Sequence, residues 1–119
     1  MSNRGLNEPG LIALLDLDGE IFPMLNGFWT KIDAKRVMQS DTIPHGVRYS
    51  LTLHNRNNLR VLGYDNAHRF KTGRRGFEAK VTEWDHKHEG NKVKRYKFAS
   101  AGQLLEDFWS DVQRIIGDI

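Results

Sequence analysis

The chain contains no cysteine and only three prolines among its 119 residues. Without cysteine it has no disulfide bond and no thiolate metal site, which is compatible with a reducing cytoplasm. No apolar run approaches the roughly 18 residues of a membrane-spanning helix, and the amino terminus has no basic-then-apolar signal pattern. We therefore expect one cytoplasmic domain over residues 1–119, with no membrane contact and with flexible residues 1–10.

The net charge of +3 is distributed unevenly along the chain. Residues 45–97 carry thirteen Lys and Arg against five Asp and Glu, whereas residues 1–44 carry four against six and residues 98–119 one against four. A basic central region favours a polyanionic partner, and nucleic acid is the commonest one. The alternative is a solvated, lysine-rich sheet face without a ligand.

Alternation of apolar and polar residues predicts a β-hairpin over residues 47–64. Tyr49, Leu51 and Leu53 alternate with polar residues, which is typical of a strand with one buried face. The turn at 55–58 is rich in asparagine, which tolerates the left-handed backbone of tight turns. The chain then returns in a second, antiparallel strand.

Further strands are predicted on both sides of this hairpin. The apolar run at 11–15 and residues 20–22 form a first hairpin across an Asp-Gly turn, and residues 27–38 favour a strand over a helix. Residues 77–84 and 92–98 alternate in the same way as the central hairpin. These elements predict an antiparallel sheet of about five strands.

A C-terminal amphipathic helix is predicted over residues 100–117. Apolar residues recur there with the helical period, Ser100 stands three residues before Gln103 in a capping-box arrangement, and Gly117 is placed to end the helix. The predicted fold class is α+β, in which this helix packs on one face of the antiparallel sheet.

Two polar clusters contain three of the five histidines and flank a basic, glycine-rich connection. The first is Tyr-Asp-Asn-Ala-His at 64–68, and the second is Trp-Asp-His-Lys-His at 84–88, at the end of the strand predicted over 77–84. His86 and His88 project to the same side of an extended chain. We expect the functional site of the protein to lie at these clusters rather than elsewhere in the chain.

The two clusters, the Arg-Tyr-Ser-Leu-Thr-Leu-His run at 48–54 and the Leu-Leu-Glu-Asp-Phe-Trp run at 104–109 resemble the TumE-type toxins of bacterial toxin–antitoxin pairs. The resemblance spans residues 27–116. Because such families are encoded beside a small helix-turn-helix antitoxin, it implies that protein as a partner. It also implies a growth-inhibiting toxin that cleaves RNA, and it leaves a homodimer open.

Metal-independent RNA cleavage needs a base for the 2′-hydroxyl proton, an acid for the leaving 5′-oxygen and cations for the charge of the phosphorane. We predict that the catalytic groups are His68, Asp85, His86, His88, Tyr64 and Asp65. We predict that the nucleic acid is bound by Arg48, His54, Arg60, Arg69, Lys71, Arg74, Arg75 and Lys87. Asn66 is expected to hold the turn by bonding backbone.

Two other mechanisms remain open at this point. A zinc- or manganese-like ion held by histidines and carboxylates of the two clusters would make a metal-dependent nuclease. No complete ligand motif is present, so we expect no metal and no cofactor. Alternatively, a binding module without catalysis would be toxic by occupying nucleic acid. Substitution of His86 and His88 separates an enzyme from such a module.

Overall fold

A six-stranded antiparallel sheet is the centre of the fold, and each strand pairs with its neighbours in chain order. The computed structural model describes residues 10–41, 43–66 and 85–117. The strands are β1 Ile21–Pro23, β2 Trp29–Arg36, β3 Val47–His54, β4 Arg60–Asp65, β5 Asp85–Glu89 and β6 Lys92–Tyr96. The helices are α1 Leu11–Asp16 and α2 Ala101–Gly117, and a single 3₁₀ turn spans Leu25–Gly27. The predicted α+β class is confirmed.

The central hairpin has the faces that its alternation predicts. Val47, Tyr49, Leu51 and Leu53 of β3 are buried, whereas Arg48 between them is exposed. Strand β2 repeats the pattern with buried Thr30, Ile32 and Ala34. The prediction of a strand rather than a helix within 27–38 is therefore confirmed, and the strand covers Trp29–Arg36. The buried sides of these strands form one continuous apolar face.

Helix α2 covers this apolar face. Its buried residues are Ala101, Leu104, Phe108, Val112 and Ile116, which recur with the helical period. The Ser100 hydroxyl accepts a hydrogen bond from the backbone N–H of Gln103 at 3.0 Å, so the predicted cap is confirmed. At about 1.5–3 kcal/mol for each fully buried large apolar side chain, this stripe is a main source of stability.

The apolar run at 11–15 is helix α1, so the prediction of a strand there was wrong. Leu11 and Leu14, three residues apart, are buried, while Ile12 is exposed, which is the spacing of a helix face. A short apolar run is compatible with a buried strand or a buried helix, and tertiary packing decides between them. Here α1 packs against α2 and β2, and Gly10 permits a close approach to Gly102.

Strand β1 consequently pairs with β2 instead of the 11–15 segment. Ile21 lies opposite Lys31, and the Asp18 carboxylate accepts a hydrogen bond from the backbone N–H of Ala34 at 2.9 Å. Pro23 ends the strand after three residues, in agreement with its expected restriction to a short edge piece.

The second polar cluster differs from its prediction in one respect. Asp85, His86 and His88 were expected to follow the end of a strand, but they are themselves residues of β5, which pairs with both β4 and β6. The strand predicted over 77–84 and the predicted flexibility of residues 1–9 lie outside the described residues. Among the helices described, none is long and apolar enough to cross a membrane.

Asn66, directly after β4, joins that strand to the backbone of β3. Its side-chain oxygen accepts a hydrogen bond from the Tyr49 N–H at 2.9 Å, and its amide nitrogen donates to the Val47 carbonyl at 2.7 Å. Asn66 is completely buried, so water cannot replace these bonds. The amide therefore fixes the position of the 64–66 segment against the start of β3.

We expect Asn66→Ala to lower the free energy of unfolding by at least about 2 kcal/mol, because it leaves two buried backbone groups unpaired at about 1–3 kcal/mol each. Urea denaturation measures the change. Asn57→Ala, in the exposed turn, is the control and should stay within about 0.5 kcal/mol of the parent protein. Equal stability of the two variants would contradict the role given to Asn66.

Candidate active site

Alternation along β5 directs its side chains to opposite faces of the sheet. Lys87 and Glu89 point towards α2, where the Lys87 ammonium lies 2.8 Å from Asp111 and Glu89 binds Arg114. His86 and His88 therefore lie on the face opposite α2, which we call the outer face. The prediction that the two histidines share one side is confirmed, with their ring centroids 6.2 Å apart.

Asp65 of β4 lies beside the two histidines on the outer face. It is the register partner of His86, and its Oδ2 is 3.5 Å from Nε2 of His88. The side chains of Asp65 and His88 are about three-quarters buried or more, at 20% and 23% exposure. We call Asp65, His86, His88 and Arg60 the histidine cluster.

Arg60 reaches this cluster because Gly63 has no side chain. A Cβ atom at Gly63 would lie 3.2 Å from Nη1 of Arg60 and 3.4 Å from its Cδ, so the arginine lies across the glycine. Gly63 is in turn the register partner of His88. The space that the missing side chain leaves at Gly63 is therefore occupied by the guanidinium of Arg60, next to His88.

Burial is the main cause that lowers the pKa of His88 below the ordinary histidine value. Asp65 opposes this shift, whereas Arg60 and His86 lower the pKa further. Since the ordinary value is about 6.5, His88 is neutral at pH 7 and has a lone pair that can accept a proton. This is the protonation state that a general base requires.

His54 lies further along the outer face, at the end of β3. Its ring stacks on Trp29 with centroids 4.0 Å apart, and its Nε2 lies 3.0 Å from the Thr52 hydroxyl. Burial and the nearby Arg60 lower its pKa. The register pairs His54 with Arg60, as the hairpin predicted.

Tyr64 and Lys87, two of the predicted site residues, lie on the other face, against α2. The Tyr64 hydroxyl donates to Asp111 at 2.7 Å, and burial together with this bond raises the pKa of Tyr64. Burial alone would raise the pKa of Asp111, but hydrogen bonds from Lys87 and Tyr64 outweigh it and lower that pKa. These groups join the sheet to the helix, on the face opposite the histidine cluster.

Asp85 also faces away from the histidine cluster, and it contacts a residue that the predicted site lacked. Its Oδ2 accepts a hydrogen bond from the Tyr49 hydroxyl at 2.7 Å and lies 3.2 Å from Nε2 of His45. Burial and Asp85 raise the pKa of Tyr49, so the hydroxyl keeps its proton and donates a hydrogen bond to the carboxylate. No local sequence pattern predicts a contact between residues 45 and 85. His45 does lie in the loop that Pro44 and Gly46 predicted.

A family model described as "Toxin TumE" matches residues 26–116, more than three-quarters of the chain. The chain belongs to the TumE toxin family. The match runs from just before β2 almost to the end of α2, so it includes every element that carries the histidine cluster. A search of curated proteins finds no match, and neither does a search of solved structures. Membership in a toxin family implies a cognate antitoxin.

Several predicted site residues of this toxin fall outside the described residues: His68, Arg69, Lys71, Arg74 and Arg75. Of the predicted nucleic-acid-binding residues, Arg48 and Arg60 are exposed on the outer face. Within 10–41, 43–66 and 85–117, no group of three or more His, Asp and Glu side chains is arranged to hold a metal ion.

Proposed function

We propose that this TumE-family toxin is an endoribonuclease whose active site is the histidine cluster on the outer face. The observation that supports the proposal is the pair His86 and His88 on one face, with Asp65 3.5 Å from His88. Cleavage by the 2′-hydroxyl of RNA needs two proton-transfer groups on opposite sides of one phosphate, and two neighbouring histidines are suited to that work.

His88 acts as the base in this mechanism, since its lowered pKa keeps it neutral at pH 7. It takes the proton from the 2′-hydroxyl, whose oxygen attacks the adjacent phosphorus. His86 gives a proton to the departing 5′-oxygen, and Arg60 stabilises the negative charge of the phosphorane. The products are a 2′,3′-cyclic phosphate and a 5′-hydroxyl end, so neither water nor a redox partner is consumed.

Asp65 positions His88 rather than contacting the RNA. Its carboxylate partly counteracts the lowering of the His88 pKa and favours the imidazolium that forms when the base accepts its proton. A buried acid behind a histidine base performs the same task in other hydrolytic sites. Asp65 is therefore a positioning residue in this proposal.

We expect His86→Ala and His88→Ala each to reduce the rate of RNA cleavage by about 10²–10⁴-fold, the usual contribution of one general acid or base. The measurement is incubation of the purified chain with total RNA and mapping of new 5′ ends. Val93→Ala is the matched control, because Val93 is the exposed register partner of His88 on the outer face. It should cleave at the parent rate.

Other results of that experiment would contradict the proposal. Parent-level cleavage by either histidine variant would place the site elsewhere. Toxicity that persists in both variants, with RNA binding intact, would instead support a binding module. Cleavage that a chelator abolishes and a divalent ion restores would support the metal-dependent alternative. The melting temperature of each variant serves to separate lost chemistry from lost folding.

The acid limb of the pH profile of kcat/KM should have its midpoint below about 6.5, because activity requires neutral His88 and its pKa is lowered. Asp65→Asn removes a group that raises this pKa, so the midpoint should move to lower pH. Arg60→Gln removes a group that lowers it, so the midpoint should move to higher pH. Movement of both midpoints in the same direction would show that His88 does not control the limb.

The antitoxin of this proposal is a small helix-turn-helix protein that covers the basic outer face. Arg48, Arg60 and Arg95 are exposed there, so an acidic surface on the partner would both block RNA and accelerate association. Masking by the antitoxin then inhibits the toxin by excluding its substrate.

We expect the Kd of the toxin–antitoxin complex to increase at least about tenfold when the salt concentration rises from about 0.05 M to about 0.5 M, since salt screens exposed charges. Arg48→Glu should weaken the complex at low salt. Arg56→Glu makes the same charge change in the turn at the other end of the hairpin and should leave the Kd unchanged. Isothermal titration calorimetry measures both, and a salt-independent Kd would contradict the proposed surface.

A further inference from the structure

A cavity of about 760 Å³ lies at the end of the sheet where β3 begins and β6 ends. Its lining includes Pro44, His45, Asp85, Arg95, Tyr96 and Phe98, and we call it the aromatic pocket. Its volume lies within the range of about 300–1,000 Å³ that is usual for small-molecule sites. The proposed cleavage mechanism uses none of these side chains.

One wall of the aromatic pocket is a carboxylate held in a fixed position. Asp85 is only 6% exposed, and its Oδ2 accepts from the Tyr49 hydroxyl and contacts Nε2 of His45. A carboxylate has about four acceptor positions, and two contacts on one oxygen leave it with capacity for a further donor. Asp85 is therefore suited to accept a hydrogen bond from a group in the pocket.

His45 orients this carboxylate and is not placed to transfer a proton to a bound molecule. Its Nε2 faces Asp85, and its Nδ1 is buried without a hydrogen-bond partner in the described part of the chain. A hydrogen bond from this ring to the carboxylate requires a hydrogen on Nε2, so Nε2 is the donor and Asp85 is the acceptor. Because His45 is occupied with Asp85, we interpret the pocket as a binding site rather than a site of proton transfer.

The remaining lining contains a second acidic residue, Asp41, together with aromatic and cationic groups that suit a flat ring carrying a phosphate. The rings of His45 and Phe98 stack with centroids 3.9 Å apart, and they present apolar surface to the cavity. Arg95 and Lys97 add positive charge to the lining. A carboxylate, aromatic surface and cations are the groups that bind single-stranded RNA bases with their phosphates.

The aromatic pocket lies at the end of the sheet that carries His86, but on the opposite face from the histidine cluster. Asp85 lines the pocket, and the next residue, His86, points to the outer face. Arg95 is the register partner of His86 and is itself part of the pocket lining. In this inference an RNA strand passes round this end of the sheet from one face to the other, with a base in the pocket and a phosphate of the same strand at the histidines.

We propose that the aromatic pocket binds one unpaired RNA base through an amino group that donates to Asp85, and that it discriminates against uracil. Cytosine has an amino group at position 4, where uracil has a carbonyl oxygen. In this proposal Asp85 meets the base at position 4, where a carboxylate accepts a hydrogen bond from the amino group of cytosine and is repelled by the carbonyl oxygen of uracil. It does not contact the neighbouring ring nitrogen, whose N–H in uracil would also donate to a carboxylate. The inference rests on the proposed ribonuclease function and adds a determinant of where the toxin cuts.

Cytidine and uridine 5′-monophosphates are matched probes, because they differ at that position and in the protonation of the ring nitrogen beside it. Titration of the full-length chain, followed by NMR or calorimetry, should give a Kd for the uridine nucleotide at least about tenfold weaker than for the cytidine nucleotide, which is within the discrimination usual for such a contact. Asp85→Asn should reduce this preference at least threefold, because an amide donates as well as accepts.

Two further variants separate base specificity from overall affinity for the nucleotide. Phe98→Ala should raise the Kd of both nucleotides by the same factor and leave the ratio of the two Kd values unchanged. Arg95→Gln should remove the tighter binding of cytidine monophosphate relative to cytidine, because it removes a positive charge available to the phosphate. Equal affinity for the two nucleotides in the parent protein, or no binding of either at millimolar concentration, would overturn the pocket assignment.

The outcome is also separable from that of the cleavage site. His86→Ala and His88→Ala should retain the preference for the cytidine nucleotide, since neither residue lines the pocket. If that preference is found while both variants still cleave RNA, the pocket assignment stands and the proposed catalytic residues are wrong. If both variants lose cleavage but the parent has no preference, the catalytic proposal stands and the base pocket is wrong.

Discussion

Helix α2 packs on one face of the sheet, and this single contact divides the strand residues into two populations. Residues that face the helix form the apolar core from Ile32 across Leu51 to Leu62, sealed by Phe108. Their neighbours in sequence necessarily face the other way, because side chains alternate along a strand. The polar residues between the core positions therefore collect on the outer face, which is where the histidine cluster forms.

The same division gives β5 two functions within five residues. Lys87 and Glu89 bind α2 through Asp111 and Arg114, which fixes the strand against the core. His86 and His88 project from the fixed strand, so their mutual position depends on a rigid element rather than on a loop. Proposed catalytic groups carried on a packed strand are more precisely placed than groups on a mobile connection.

The residues of the two polar clusters, which we predicted to form one site, lie on two different faces of the sheet. Asp65 and the two histidines meet on the outer face, whereas Tyr64 and Asp85 belong to the side of the helix and the aromatic pocket. Cluster residues that are adjacent in sequence are thus separated by the sheet itself. Proximity along the chain indicates a common region, but the parity of the strand determines which residues share a face.

The sequence by itself determined the elements whose signal is local. The stripe of α2, its cap at Ser100, the alternation of β3 and the common side of His86 and His88 follow from periodicity within one segment. These features were predictable because each depends only on neighbouring residues.

Only the tertiary structure decided between helix and strand at 11–15, because the six residues of α1 are too few for a helical period to be distinctive. It also decided that His45 meets Asp85 across 40 residues and that Arg60 lies over Gly63 beside His88. Such contacts depend on strand order and register, which are set by the packing of the whole sheet against α2 and are not encoded in any one stretch of the chain.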